Sequence, residues 1–278
     1  MTPVKPIPSA APPRLLQLSD PHLLADPCGR YRRRRPLPLL RRGLRQALRQ
    51  MEDEGLGRPD LLLLSGDLCQ DESWGGYALL RDLLAEEDLP AALLPGNHDH
   101  PTLLRAALGR HAVIAPACIR IGDWDLLLLD SHRPGCIGGR LGPSALEQLS
   151  VWVGEVAEPP RAGLLVAVHH PPVAIGDPEM DRIGLQDGAE LLERLASAPR
   201  LGAVVFGHIH QHWRGAMPGR PDVPLLGCPS TLCSFRAVQP CPLGRPEDPG
   251  GRLIELAAGG GIRQHLLRWS VADPPTVS

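Results

Sequence analysis

A single-domain α/β fold is predicted for this chain by three features. Short leucine- or valine-rich runs recur, each bounded by turn residues. Segments whose apolar residues recur at helical spacing stand between those runs. A length of 278 residues with 43% hydrophobic content is enough to bury a large core without dividing it. The domain is expected to span residues 14–270, with disordered tails at 1–13 and 271–278; the first tail is rich in proline.

Taken in order, the buried strands are predicted at 15–18, at the four leucines of 61–64, at 91–94, at the four leucines of 126–129, at 164–168 and at 203–206. Helices are predicted at 39–51, 77–86, 101–108, 143–156 and 189–196. After His212 the pattern changes to shorter β-like runs at 223–226, 252–256 and 262–267, separated by Gly- and Pro-rich turns. A second, more antiparallel sheet is expected there. Gly259-Gly-Gly261 links two strand patterns rather than a strand to a helix, so it reads as a hairpin turn and not a phosphate cradle.

Composition narrows the chemistry. The net charge of -2 and pI near 6.6 give no bulk attraction to a nucleic-acid polymer or an anionic membrane. Lys5, in the proline-rich tail, is the only lysine among 29 basic residues. A Schiff-base or P-loop lysine is therefore excluded, and any phosphate must be held by metals or arginine. Seven scattered cysteines with no C-x-x-C pair argue against a disulfide framework and against a zinc-thiolate site. With no signal-like segment and no membrane-length apolar run, a cytoplasmic protein is expected.

The polar residues of interest stand just past the predicted strands: Asp20 and His22, Gly66-Asp67, Gly96-Asn97-His98-Asp99, His169-His170, and Gly207-His208-Ile209-His210. In open α/β sheets, ligands collect at that edge. Asp20, His22, Asp67, Asn97, His169, His208 and His210 offer nitrogen and oxygen donors and no thiolate, a mixture suited to Mn²⁺, Fe²⁺ or Zn²⁺. Seven donors exceed one tetrahedral ion and suit two ions, roughly 3.5–4 Å apart, that share a carboxylate. In Asp20-x-His22 and His208-x-His210, side chains two apart on an extended segment are expected to leave on one face. Gly66, Gly96 and Gly207 precede candidate ligands, where a missing Cβ permits close approach.

These blocks, D-x-H at 20–22, G-D at 66–67, G-N-H-D at 96–99, H at 169 and G-H-x-H at 207–210, resemble the calcineurin-like metallophosphoesterases and occur in that family's order. The likeness runs from about residue 15 to about 269, and is strongest to bacterial class III 3′,5′-cyclic AMP phosphodiesterases. The resemblance implies a four-layer α/β/β/α sandwich. It implies one metal on Asp20, His22, Asp67 and His210, a second on Asp67, Asn97, His169 and His208, and Asp67 as bridge. It further implies that a hydroxide between two Fe²⁺ or Mn²⁺ ions, or Zn²⁺, attacks phosphorus, and that His98 protonates the departing 3′ oxygen, with Asp99 as its orienting partner. His22, Asp67, Asn97, His98 and His210 would face the substrate, a small cyclic nucleotide.

Blander readings stand beside these. His170 is expected behind its neighbour or facing solvent. The arginines of 30–35, with Arg41, Arg42, Arg45 and Arg49 beyond them, read as a solvated face balanced by Glu52, Asp53 and Glu54 rather than as a polyanion site. His100, His111, His132, His212 and His265 have no partner that the sequence names. A phosphodiesterase for glycerophosphodiesters or other small esters, and a non-catalytic scaffold on the same fold, are the alternative functions; a serine nucleophile is discounted because no G-x-S-x-G occurs.

Overall fold

The computed structural model describes residues 12–154 and 161–269. In chain order the elements are β1 (Arg14–Leu18), α1 (Pro36–Asp53), β2 (Leu61–Leu64), α2 (Trp74–Glu87), β3 (Ala91–Leu93), α3 (Pro101–Leu108), β4 (Val113–Ile114), β5 (Ala117–Ile121), β6 (Trp124–Leu128), α4 (Pro143–Gly154), β7 (Gly163–Val168), α5 (Pro178–Arg182), α6 (Gly188–Ala196), β8 (Leu201–Phe206), β9 (Trp213–Met217), β10 (Arg220–Gly227), β11 (Gly250–Leu256) and β12 (Ile262–Arg268). The expected tails fall outside the described residues except for Pro12 and Pro13. Pro13 is buried, and its carbonyl accepts the Leu256 amide hydrogen at 2.8 Å, so it is part of the fold.

Two six-stranded sheets form, in the orders β12-β11-β1-β2-β3-β4 and β5-β6-β7-β8-β10-β9. Within them β1 to β4 run parallel, as do β6, β7, β8 and β10, while antiparallel pairing places β12, β5 and β9 at three of the four edges. Alternation along each strand sorts the side chains. Leu15, Leu61, Leu63, Ala92, Leu165, Ala167, Ala203 and Val205 meet between the sheets, whereas Leu16, Leu62 and Leu93 pack outward with α1, α2 and α3. Leu164, Val166 and Val204 pack outward with α4 and α6. The layers are thus helix, sheet, sheet, helix.

The strands after His212 do not build a sheet of their own. Hairpin β9-β10 joins β8 at the edge of one sheet, and hairpin β11-β12 joins β1 at the edge of the other. Each hairpin extends a strand edge of the assembled core, and β11 is buried on both faces, with Leu253 packing outward and Ile254 and Leu256 between the sheets. The glycines at 259–261 form the β11-β12 turn, with Ala257 N–H donating to the Gly261 carbonyl at 2.9 Å.

Helix boundaries follow their caps. Ser73 Oγ accepts the Gly76 amide hydrogen at 3.0 Å and starts α2, three residues before the predicted point. Helix α1 also starts three residues early, at Pro36, whose fixed φ suits a first helical position; its N-cap Arg35 makes no side-chain bond. Residues 155 and 156 of the fourth predicted helix lie outside the described residues. Among the described residues no helix is long and apolar enough to cross a membrane.

Candidate metal centre

The loops that leave β1, β2, β3, β7 and β8 at their carboxyl ends meet at one rim. The first sheet delivers Asp20, His22, Asp67, Asn97 and His98; the second delivers His169, His170, His208 and His210. All are buried except Asn97 and His98, which are partly exposed. Asp20, His22, Asp67 and His210 form one group of close donor atoms, and His169, His170 and His208 form another. Asp67 stands between them: Oδ2 is 3.8 Å from His22 Nε2, and Oδ1 is 3.5 Å from His169 Nε2. Asn97 Oδ1 completes the second group, 3.0 Å from His208 Nδ1 and 3.4 Å from His169 Nε2.

The segments that carry these residues are not extended, contrary to the face argument from sequence. Asp20, His22, Asp67, His208 and His210 all have positive φ, from 48° to 66°. Left-handed backbone at a non-glycine residue costs of order 1–3 kcal/mol, so the rim holds appreciable strain, maintained by the packed sheets beneath. The side chains still converge, because each left-handed residue turns the chain back on itself just past the strand. Gly66 and Gly96 make that turn possible. Gly66 has φ +105°, and a Cβ there would stand 2.1 Å from His169 Nδ1. A Cβ on Gly96 would stand 2.1 Å from Asp67 Oδ1.

Three imidazoles are oriented alike. Nδ1–H of His22 donates to Gln70 Oε1 at 2.8 Å, that of His169 to the Ser65 carbonyl at 2.7 Å, and that of His210 to the Cys233 carbonyl at 3.0 Å. Each therefore directs Nε2 inward, and His22 Nε2 lies 3.0 Å from His210 Nε2. Oxygen acceptors behind a ring fix its tautomer and raise its basicity as a ligand, so the donor set fits divalent cations.

Carboxylates and imidazoles shift one another's protonation across the site. Burial opposes charge on every group, yet the Asp20 carboxylate raises His210 to about 10 and the Asp67 carboxylate raises His169 to about 9. Asp20 and Asp67 are held below their usual range against burial by the same partners, His210 and His169 respectively. His22 falls to about 4, chiefly through burial.

His170 is neither solvent-facing nor aimed at the centre. It is fully buried; Nε2–H donates to the Ile137 carbonyl at 3.0 Å, and Nδ1 pairs with Ser131 Oγ at 2.8 Å. With both nitrogens occupied it anchors the loop of residues 131–137 to the sheet. His132 fastens that loop a second time, donating from Nδ1 to the Gly96 carbonyl at 2.8 Å. Between this loop and the one bearing Asn97 and His98 lies a cleft of ≈ 520 Å³, whose walls also include Glu72, Thr102 and Ile137.

Asp99 does not orient His98. Its carboxylate accepts from the amides of Leu68, Cys69 and Gly96 and from Tyr77 Oη, while burial and Asp67 push it up to about 7. The partner of His98 is Gln70, whose Nε2 lies 3.2 Å from His98 Nδ1. Nothing in the residue type of Gln70 announces this role; its one signal is its place in the block that follows Asp67. The arginine run also differs from expectation. Arg41 and Arg45 pair with Glu86 and Glu87 of α2 rather than with Glu52 to Glu54, and Arg32 lies over the rings of Tyr31 and Phe235, the latter stacked on His210.

Residues 13–212 match the family model described as calcineurin-like phosphoesterase. The chain belongs to that family. It is 49% identical over 94% of its length, and 98% of the relative's, to a probable cyclic nucleotide phosphodiesterase of Synechococcus sp. strain WH7803. It is 34% identical, over 80% of this chain and 77% of the relative, to a 3′,5′-cyclic adenosine monophosphate phosphodiesterase of Pseudomonas aeruginosa. Among solved structures, a dimetal phosphatase from Danio rerio superposes with a TM-score of 0.59 at 14% identity, covering 94% of this chain and all of that one. That similarity bears on the fold, and the calcineurin-like sandwich is the fold of this protein.

Proposed function

We propose that the protein is a metal-dependent phosphodiesterase that opens 3′,5′-cyclic AMP to 5′-AMP. The observation that carries the reading is the convergence of Asp20, His22, His210, Asn97, His169 and His208 around the two oxygens of Asp67, with His98 at the mouth of an adjoining cleft. The names of the relatives supply the nucleotide.

Asp20, His22, Asp67 and His210 would hold one divalent ion, and Asp67, Asn97, His169 and His208 the other, with Fe²⁺ or Mn²⁺ preferred and Zn²⁺ compatible. Such ions activate water as a nucleophile near neutral pH and neutralise phosphate oxygens. The protein does the rest. The Asp67 carbonyl accepts the His22 amide hydrogen at 2.9 Å and its Oδ1 accepts the His98 amide hydrogen at 2.9 Å, which holds the loop bearing His98 against the centre. His98 protonates the departing 3′ oxygen, a step that typically contributes 10²- to 10⁴-fold. The cleft between 97–102 and 132–137 has the volume of a ligand pocket for a nucleoside. Among the described residues the cysteines form no disulfide, which accords with action in the cytoplasm.

The test is 5′-AMP release by purified, metal-loaded enzyme, with chelation abolishing it. His98→Ala should lower kcat by about 10²- to 10⁴-fold with metal content intact, whereas Asn97→Ala should lose metal. A wild-type enzyme that carries both ions and leaves cyclic AMP whole, while cleaving a glycerophosphodiester, would overturn the substrate assignment.

A further inference from the structure

We propose that Gln70 is a positioning residue that determines which ring nitrogen of His98 carries its proton. The inference rests on the reading of His98 as the acid, and it concerns a side chain outside the converging set. Gln70 is placed by backbone pairing: His22 N–H donates to Asp67 O at 2.9 Å, Leu23 N–H to Leu68 O at 2.9 Å, and Gln70 N–H to Leu23 O at 2.7 Å. This short parallel ladder, an extension of β1 and β2 past their ends, sets the Gln70 amide between two imidazoles. Oε1 lies 2.8 Å from His22 Nδ1, and Nε2 lies 3.2 Å from His98 Nδ1.

The protons then follow one from another. His22 Nε2 faces His210 Nε2 at 3.0 Å and Asp67 Oδ2 at 3.8 Å, so a cation held there takes the Nε2 lone pair and leaves the proton of His22 on Nδ1. An N–H can only donate, so its partner is the Gln70 oxygen. The amide nitrogen is left for His98, and an amide nitrogen can only donate. His98 Nδ1 is consequently the acceptor, and the proton of the neutral ring sits on Nε2, the atom remote from Gln70; passing it to the 3′ oxygen breaks Nε2–H and leaves an imidazolate that the Gln70 N–H at Nδ1 stabilises until water returns a proton to Nε2. Among the described residues no carboxylate is hydrogen-bonded to this ring, and Asp99 is committed to the amides of Leu68, Cys69 and Gly96. Cation binding at His22 and proton placement on His98 are thereby coupled through one amide, a use of the ligand's outer partner that goes beyond orienting the ligand itself.

Gln70→Glu separates the two halves of the arrangement. A carboxylate still accepts from His22 Nδ1–H, but toward His98 it also accepts, and so draws the ring proton from Nε2 to Nδ1. Gln70→Leu removes both bonds. The experiment uses Zn²⁺-loaded wild type and both variants, with metal content measured, and reads the His98 nitrogens by ¹⁵N NMR, which distinguishes protonated from bare ring nitrogen. Rates are taken in parallel on cyclic AMP and on bis(p-nitrophenyl) phosphate, whose leaving phenolate departs without protonation.

The expected result is a bare Nδ1 in the wild type, a protonated Nδ1 in Gln70→Glu, and a fall in kcat on cyclic AMP at least about tenfold greater than on the aryl ester. A wild-type His98 with the proton on Nδ1 overturns the proposal, as does an equal fall on both esters at full metal content. If the wild type hydrolyses only the aryl ester, the cyclic AMP reading fails, and the NMR result still decides the role of Gln70.

Discussion

Asp99 faces Gly96 and not its neighbour His98: its Oδ2 accepts the Gly96 amide hydrogen at 2.8 Å, closing the loop that bears Asn97. The same carboxylate gathers the Leu68 and Cys69 amides, so one buried side chain ties the loop after β3 to the loop after β2. Asp99→Ala should leave these donors without an acceptor and cost about 3–5 kcal/mol of stability. Denaturant unfolding of the variant against the wild type measures it; a loss below 1 kcal/mol would show that the loops hold without this tie.

Gly96→Ala should spoil the centre and cost some stability with it. The added methyl would lie 2.1 Å from Asp67 Oδ1 and 2.3 Å from Asp67 N, so the shared carboxylate must move. Metal affinity is expected to fall by at least about tenfold. Gly259→Ala, at a position with open space around it, serves as the control and should bind metal as the wild type does. Metal titration of both variants provides the comparison.

Metal binding should release protons. In the metal-free protein His169 and His210 titrate near 9 and 10, so at pH 7 both rings carry a proton that a cation must displace. Apparent affinity should therefore rise as pH is raised from 6.5 toward 9, by up to about tenfold per unit for each ion. Calorimetric titration in two buffers of different ionisation enthalpy counts the protons; a pH-independent affinity would contradict the assignment of these rings as ligands.

His212 should make the fold sensitive to acid. Burial, and then Arg252, lower it from the ordinary 6.5 to about 4, and its Nδ1 accepts from Arg252 Nη2 at 3.2 Å. Between pH 6.5 and 4 the unfolded chain binds a proton here that the native state refuses, so stability falls as pH drops through that window. Wild type should lose about 1–2 kcal/mol more than His212→Gln between pH 7 and 5, as read by denaturant unfolding at the two pH values.

The leucine runs made the central parallel strands legible because a strand buried on both faces has no polar residue to interrupt it. β5 was not legible, since Arg120 breaks its short apolar pattern, and neither was β9, where Arg214 and Gly215 do the same. Both are edge strands, and their face toward solvent carries the interruption. The assignment of the C-terminal hairpins to opposite sheets depends on which strand edges are left open, and that is a property of the assembled core rather than of any local run. At the rim, residue types and order revealed the converging side chains, but not the left-handed backbone that brings them together, because Asp and His, though enriched at positive φ, adopt it in only a minority of cases. The link from Gln70 to His98 is a fact of two loops lying side by side, and spacing within one loop does not contain it.

One consequence of the rim's construction concerns how the molecule is made. Neither sheet owns a whole group of donors: Asp20, His22 and Asp67 come from the first and await His210 from the second, while His169 and His208 await Asn97 and Asp67. A chain whose two halves have not yet closed on each other presents only fragments of a coordination shell, and an ion has no reason to stay. Cation uptake is therefore expected late in maturation, after the two halves have closed on each other.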